Sequence, residues 1–304
     1  MLEICLPGTG AMMPLPNRYL ASLLVRREGR LCLVDCGEGT QVAVRAAGWS
    51  LARIDTICIT HFHADHTAGL PGLLLTMGTC GRTRPVTLMG PKGLALVTGC
   101  LRVIAPELPF PLEFQEFDQD THHTAFQDMS LTAFSLSHII PCYGYSFTLS
   151  RPGQFQPDKA RALGIPVGHW GALQRGETVE TEQGVFLPAM VLGPERKGLR
   201  ITYCTDTRPT DAIARHASGA DLFICEGTYG EEEKAEKADQ HGHMTFLDAA
   251  RLARQAGAKE LLLTHFSPAV EDPEPYLPAA RAIFPAASAG RDGLRRVLRF
   301  EEEG

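Results

Sequence analysis

The sequence predicts an α/β layered fold. Short apolar stretches alternate with stretches of helical periodicity. The alternation runs through two halves separated by a Gly/Pro-rich segment, and several apolar stretches end on a histidine or an aspartate. In the first half, residues 2–6, 22–25 and 31–34 read as strands, and 40–47 as a helix stopped at Gly48. The β-branched run 56–60 is a buried strand that delivers the chain to His61. Leu70, Leu73, Leu74 and Met77 recur at i, i+3, i+4 and i+7, one face of a helix. Residues 86–89, 131–137 and 143–149 are further strands. In the second half, strands at 199–205, 221–226 and 260–264 alternate with helices at 209–217 and 245–255, the latter stopped at Gly257.

The 304 residues are 44% hydrophobic and 21% charged, the composition of a soluble globular protein. A net charge of -6 excludes binding to nucleic acid through a diffuse basic field, so such contacts must be local. Nine scattered cysteines without a C-x-x-C pair are no disulfide framework and point to a reducing compartment. The start of the chain lacks a signal-peptide pattern, and no apolar run approaches the ~20 residues of a membrane helix. Residues 150–200 differ from the rest. They hold eight Gly and five Pro, show weak periodicity, and carry seven basic against five acidic residues. Such a stretch is either a solvated loop or a protruding arm that touches an anionic ligand.

The strongest chemical signal is His61-Phe62-His63-Ala64-Asp65-His66, a turn just past an apolar strand, where side chains can converge on one point. Imidazole and carboxylate suit zinc and similar divalent ions. His138, Asp206 and His265 also follow strands, at the end of the sheet where open α/β folds place their sites. Five histidines and two aspartates are enough for two ions if one carboxylate bridges.

With these residues in view, the chain resembles the metallo-β-lactamase superfamily and, within it, the ribonuclease Z family of tRNA 3′-processing endonucleases. The resemblance rests on PGTGAMMP near the start, VDCGEGTQ at 34–41 and ITHFHADHTAGLPGLL at 59–74. It continues through HIIPCYGY at 138–145, KARALGIPVG at 159–168 and CTDTRP at 204–209. CEGTYG at 225–230, HMTFLDAA at 243–250 and LTHFSP at 263–268 complete it. It implies a metallo-β-lactamase-like αββα sandwich, one domain over 1–304 with 150–198 inserted as a flexible arm that binds tRNA. It implies two zinc ions per chain, one on His61, His63 and His138, the other on Asp65, His66 and His265, with Asp206 bridging. It implies attack by metal-activated water, oriented by Asp65, on a phosphodiester of precursor tRNA, and commonly a homodimer.

Glu226 and His243 match a family pair, and the physics supports the pairing: a carboxylate on one imidazole nitrogen fixes the tautomer and raises its basicity. His243 is then expected to stabilise the scissile phosphate or protonate the leaving 3′-oxygen. The alternative is that His241 and His243 form a surface pair before a helix while Glu226 serves the core. Gly37-Glu38-Gly39-Thr40 opens a helix and either takes an anion or packs tightly under the metal loop.

The sequence departs from the family at three places. The loop after Gly10 keeps Pro14 and Arg18 but lacks the family's lysine, Gly168-His169 stands for the arm's usual Gly-Pro, and the stretches around Glu226 and His243 are altered. Arg18 of that loop, with Lys159, Arg161 and Arg175 of the arm, is the expected substrate-binding set; Trp170 adds a flat apolar surface. The leading expectation is a cytoplasmic zinc-dependent endoribonuclease that removes the 3′ trailer from precursor tRNA. The alternatives are a phosphodiesterase of the same fold acting on small substrates, and a non-catalytic RNA-binding relative.

Overall fold

A computed structural model describes residues 1–301. The chain divides into two units, one of Met1–Phe147 with Arg200–Arg299, the other of Thr148–Leu199 with the last described residues. The first unit begins with β1 (Leu2–Gly8), β2 (Ser22–Arg27), β3 (Arg30–Val34), α1 (Thr40–Ala46), β4 (Ile54–Cys58), α2 (Ala64–Thr67), α3 (Leu70–Thr79), β5 (Val86–Pro91), α4 (Leu94–Leu101) and β6 (Leu112–Phe117). β7 (Thr121–Phe126), β8 (Met129–Ser135) and β9 (Tyr143–Arg151) follow. The second unit holds α5 (Pro157–Ala162), α6 (Trp170–Gln174), β10 (Val179–Thr181) and β11 (Gly184–Phe186). The chain then continues through β12 (Arg196–Cys204), α7 (Asp211–His216), β13 (Leu222–Glu226), α8 (Ala235–His241), α9 (Phe246–Ala256), β14 (Leu261–Thr264), α10 (Leu277–Ile283), β15 (Ala287–Ala289) and β16 (Leu294–Leu298).

Two seven-stranded sheets result, in the orders β16-β1-β2-β3-β4-β5-β6 and β15-β14-β13-β12-β9-β8-β7. β2 and β3 form a hairpin through Glu28 and Gly29, both with positive φ, the conformation a two-residue turn needs. From β3 to β6 the pairing is parallel, which requires the crossover helices between those strands.

Period-two burial assigns the faces. Leu24, Leu31 and Leu33 pack with Val44, Leu70, Leu74 and Leu94 of the helices, whereas Leu23 and Val25, equally buried, lie outside that cluster. In the second sheet, Phe223, Cys225, Leu261 and Leu263 pack with Ile213, Leu252 and Leu277, while Leu222, Ile224 and Leu262 point the other way. Each sheet thus carries helices on one face and keeps the other for its partner sheet. The buried Tyr145 hydroxyl on β9 reaches across to donate to the Ile59 carbonyl at 2.6 Å. Thr245 and Asp248 form a capping box at the start of α9, and Gly257 ends it at φ 61°.

Two local expectations shift. The strand expected at 56–60 ends at Cys58, because the Thr60 amide and hydroxyl bond to the Asp35 carboxylate instead of a ladder. The 150–198 stretch, expected to be irregular, is folded around Ala160, Ile165, Leu173, Val179, Phe186 and Val191. Its elements are too short for a periodicity to register. Its two ends meet at Gly153, where a Cβ would lie 2.0 Å from the Gly193 carbonyl oxygen. Trp170 packs on Phe155 and donates its indole N–H to the Ile165 carbonyl.

Candidate metal centre

The candidate residues sit where strands of the first unit stop. Asp35 follows β3, His61 and His63 follow β4, and Asp65 and His66 lie on the short α2. His138 comes after β8, Asp206 after β12, and His265 after β14, while Glu226 is the last residue of β13. Asp35, Asp206 and His265 have φ of 63°, 55° and 58°. For residues with a Cβ this left-handed turn costs about 1–3 kcal/mol and persists only where its surroundings enforce it.

The side chains converge in two groups that share Asp206. In the first, His61 Nε2 is 3.0 Å from His63 Nδ1, and His138 Nε2 is 3.4 Å from the same atom. Asp206 Oδ2 faces this group, 3.6 Å from His61 Nε2 and 4.0 Å from His138 Nε2. In the second group, His66 Nε2 and His265 Nε2 lie 3.5 and 3.8 Å from Asp65 Oδ2. Asp206 Oδ1 faces them at 3.3 and 3.1 Å. One carboxylate therefore offers one oxygen to each group.

The outward nitrogens are fixed. His61 Nδ1 meets the Thr60 hydroxyl at 3.0 Å, and His66 Nδ1 meets Asp35 Oδ2 at 2.8 Å. His138 Nδ1 meets the Gly242 carbonyl and His265 Nδ1 the Thr228 hydroxyl, both at 3.0 Å. These contacts set the tautomers so that Nε2 is presented inward. Two of those inward atoms, His66 Nε2 and His265 Nε2, are buried without a hydrogen-bond partner. Buried polar atoms left unpaired are costly, and a divalent cation satisfies them. An all-imidazole and carboxylate donor set fits zinc.

Burial, then the nearby His66, His138 and His63, push the His61 imidazole down to about 2, so it is a neutral ligand type. Burial works against ionisation of Asp65, but the facing His265 and His66 imidazoles outweigh it and hold the carboxyl well below its usual range. The Met12 backbone N–H also donates to Asp65 Oδ2, at 2.8 Å.

Beside these groups, the wholly buried Glu226 accepts from the Thr207 amide at 2.6 Å, the Thr228 hydroxyl at 2.6 Å and the Met244 amide at 3.2 Å. His243 Nδ1 lies 3.2 Å from its Oε2. Burial opposes protonation of His243, yet the Glu226 charge and hydrogen bond, with Asp206 beyond, raise it to about 9. The pairing with Glu226 thus favours the protonated form of His243. His243 lines a cavity of about 340 Å³ together with His63, Asp65, His138, Asp206 and His265, and with Met12, Ile139, Tyr229, Lys237 and His241 at its walls.

Asp35, Thr60, Thr228 and Lys237 carry this geometry without having been singled out from sequence. Asp35 shares the signal that marked the candidate ligands, a polar residue directly past an apolar strand. Other expected residues lie elsewhere. Both terminal nitrogens of Arg18 donate to the carbonyls of Val270 and Glu271, and its guanidinium lies over Phe266. Gly37 packs: a Cβ there would lie 2.0 Å from the Asp65 carbonyl oxygen, and one at Gly69 equally near that of Gly37. In the second unit, Arg161 pairs with Asp158 at 2.8 Å and Arg175 with Glu177 at 2.7 Å, while Lys159 is exposed.

The family described as beta-lactamase superfamily domain matches residues 30–266. A ribonuclease Z of Lachnoclostridium phytofermentans is 51% identical over 302 residues, 99% of each chain. One of Lachnospira eligens is 50% identical over 304 residues, the whole of both chains. Among solved structures, the short form of human tRNase Z matches with a TM-score of 0.72 and 26% identity, covering 98% of this chain and 100% of that one.

Proposed function

The chain belongs to the ribonuclease Z family of the metallo-β-lactamase superfamily, and from that membership and the geometry above we propose that it is a zinc-dependent endoribonuclease that cuts the 3′ trailer from precursor tRNA. The observation that carries the reading is Asp206, whose two carboxylate oxygens each face one histidine group, with the Glu226–His243 pair alongside.

His61, His63 and His138 would hold one zinc ion, Asp65, His66 and His265 a second, and Asp206 both. When bound, the pair supplies positive charge to the phosphodiester oxygens and a means of ionising water near neutral pH. The chain's own groups do the rest. Asp65, kept anionic and held by the Met12 amide, accepts a hydrogen bond from the attacking water and aims it along the line of displacement. His243, kept protonated by Glu226, donates to the departing 3′-oxygen, its Nδ1 fixed on the carboxylate so that Nε2 carries the proton. The products are a tRNA ending in a 3′-hydroxyl and a trailer beginning with a 5′-phosphate.

The 150–198 segment serves as the tRNA-binding arm, with Lys159, Arg161 and Arg175 exchanging water or local carboxylates for phosphates. This local concentration of cations is how an acidic chain binds RNA. A homodimer in the cytoplasm fits the family. Nine free cysteines support a reducing compartment, and no helix among the described residues is long and apolar enough to cross a membrane.

The test is to incubate the purified protein with a precursor tRNA and with bis-p-nitrophenyl phosphate, and to map the RNA ends. A single cut at the tRNA–trailer boundary, lost after chelation and restored by zinc, is expected. Hydrolysis of the small diester with the precursor left intact would overturn the reading.

A further inference from the structure

The cavity over the metal groups has one feature that the reaction as derived does not use. Among its described lining residues there is a single lysine or arginine, Lys237. It lies on α8, one helical turn before His241, so both side chains rise from the same face of that helix toward the cavity. Ala238, which follows Lys237 in the helix, is buried and anchors α8. The end of α8 is tied to the metal groups: Gly242, at φ 72°, gives its carbonyl to His138 Nδ1, and the next residue is His243.

Neighbouring cations are already neutralised. Lys234 pairs with Glu231, and Arg208 pairs with Asp239 on the same helix. Lys237 has no carboxylate within ion-pair distance among the described residues, and its ammonium lies 5.8 Å from the centre of the Tyr229 ring. Tyr229 is itself a buried wall of the cavity. An aromatic face of this kind steers a cation without discharging it. The ammonium is therefore held at the rim, unpaired, above a floor whose own charges belong to the metal ligands and the Glu226–His243 pair.

We propose that Lys237 is a substrate-binding and specificity-determining residue that grips the phosphate next to the scissile one, and so favours polynucleotide over single-phosphate diesters. This rests on the RNA reading of the site given above. The scissile phosphate is the business of the cavity floor, and a charge at the rim meets the next phosphate along the strand. A diester with one phosphate has nothing to offer it.

The experiment compares the parent with Lys237→Ala, Lys237→Arg and, as a control away from the cavity, Lys234→Ala. Each is assayed for kcat and KM on precursor tRNA and on bis-p-nitrophenyl phosphate over a range of KCl. Elemental analysis checks that the metals are retained. Lys237→Ala is expected to raise KM for precursor tRNA roughly tenfold, the worth of one charge-assisted hydrogen bond. It should also lower the slope of log affinity against log salt by about one. The loss on the small diester should be several-fold smaller, Lys237→Arg should recover most of the tRNA affinity, and Lys234→Ala should track the parent. Equal losses on the two substrates, or none on precursor tRNA, would overturn the assignment. A parent that hydrolyses the small diester and leaves precursor tRNA intact fails the RNA reading itself and removes this proposal with it. A parent that cuts both, with Lys237→Ala cutting both equally well, removes this proposal alone.

Discussion

Around the metal cavity, Asp35 and Glu226 are wholly buried, and their partners, Thr228 beside Glu226 excepted, come from 17 to 31 residues away in the chain. In the Thr148–Leu199 unit, Arg161 and Arg175 are exposed and find their carboxylates three and two residues away. The first arrangement is costly to disturb, since removing one partner leaves another buried and unpaired. The second is an ordinary exposed ion pair, worth little in water and readily exchanged for a phosphate. Fixed polar bonds suit a place that must hold geometry through a reaction. Weak local ones suit a surface whose partner arrives from solution.

This contrast fails if changes in the cavity behave like changes at an exposed surface. The largest effect is expected from Asp206→Ala, which takes an oxygen from both histidine groups. Both ions should be lost by elemental analysis, and hydrolysis of precursor tRNA and of bis-p-nitrophenyl phosphate should both vanish. Full metal content in that variant would refute the shared-ligand arrangement. Next is His243→Ala, which should keep its metals and its melting temperature while tRNA turnover drops by about 10²–10⁴-fold. Activity equal to the parent would reject its role. His241→Ala should fall much less.

Replacing residues 155–190 by a short Gly/Ser linker exploits the contact between Gly153 and Gly193 at the segment's base. Precursor-tRNA affinity should weaken on the order of 10²-fold with a shallower salt dependence, while the metals and the small-diester reaction remain. A deletion variant that processes precursor tRNA as efficiently as the parent would show that recognition lies elsewhere. Asp35→Asn removes the carboxylate behind His66 and should lower metal affinity by about 10–100-fold, read by competition with a chelator. Arg175→Ala should do least: a modest loss in tRNA affinity and no change in melting temperature. A clear fall in melting temperature would mean that the exposed pair is more than local.

The same contrast explains what the sequence reveals. The cavity's converging histidines and aspartates are legible because each follows an apolar strand, where a polar residue is conspicuous, and because four of them crowd into 61–66. Asp35 has the same placement, but nothing in the sequence shows that its partners are His66 and Thr60, 31 and 25 residues away. β6 and β7 escaped because they are edge strands: Glu113 to Glu116 of β6 are all exposed, and β7 buries only Phe126, so neither presents an apolar face. α8 is charged on nearly every side and buries only Ala238, so it lacks an apolar stripe. In the second unit the apolar residues are present, but elements of three to six residues are shorter than the windows in which a period can be read.

One feature of the cavity reaches beyond catalysis. Each histidine group takes members from both sheets: His61 and His63 come off β4 and His138 off β8, while Asp65 and His66 lie on the α2 turn and His265 comes off β14. Ions held there would be crossbars between the two layers of the sandwich. Their binding free energy would then also be cohesion energy between the layers, since a separated pair of sheets has no complete site to offer. A hundredfold excess of free metal over its dissociation constant adds about 2.7 kcal/mol per site to the folded state. Scarcity of metal would thus threaten the enzyme's lifetime as well as its rate, and a melting curve recorded against chelator would be a direct gauge of how tightly the two layers are tied.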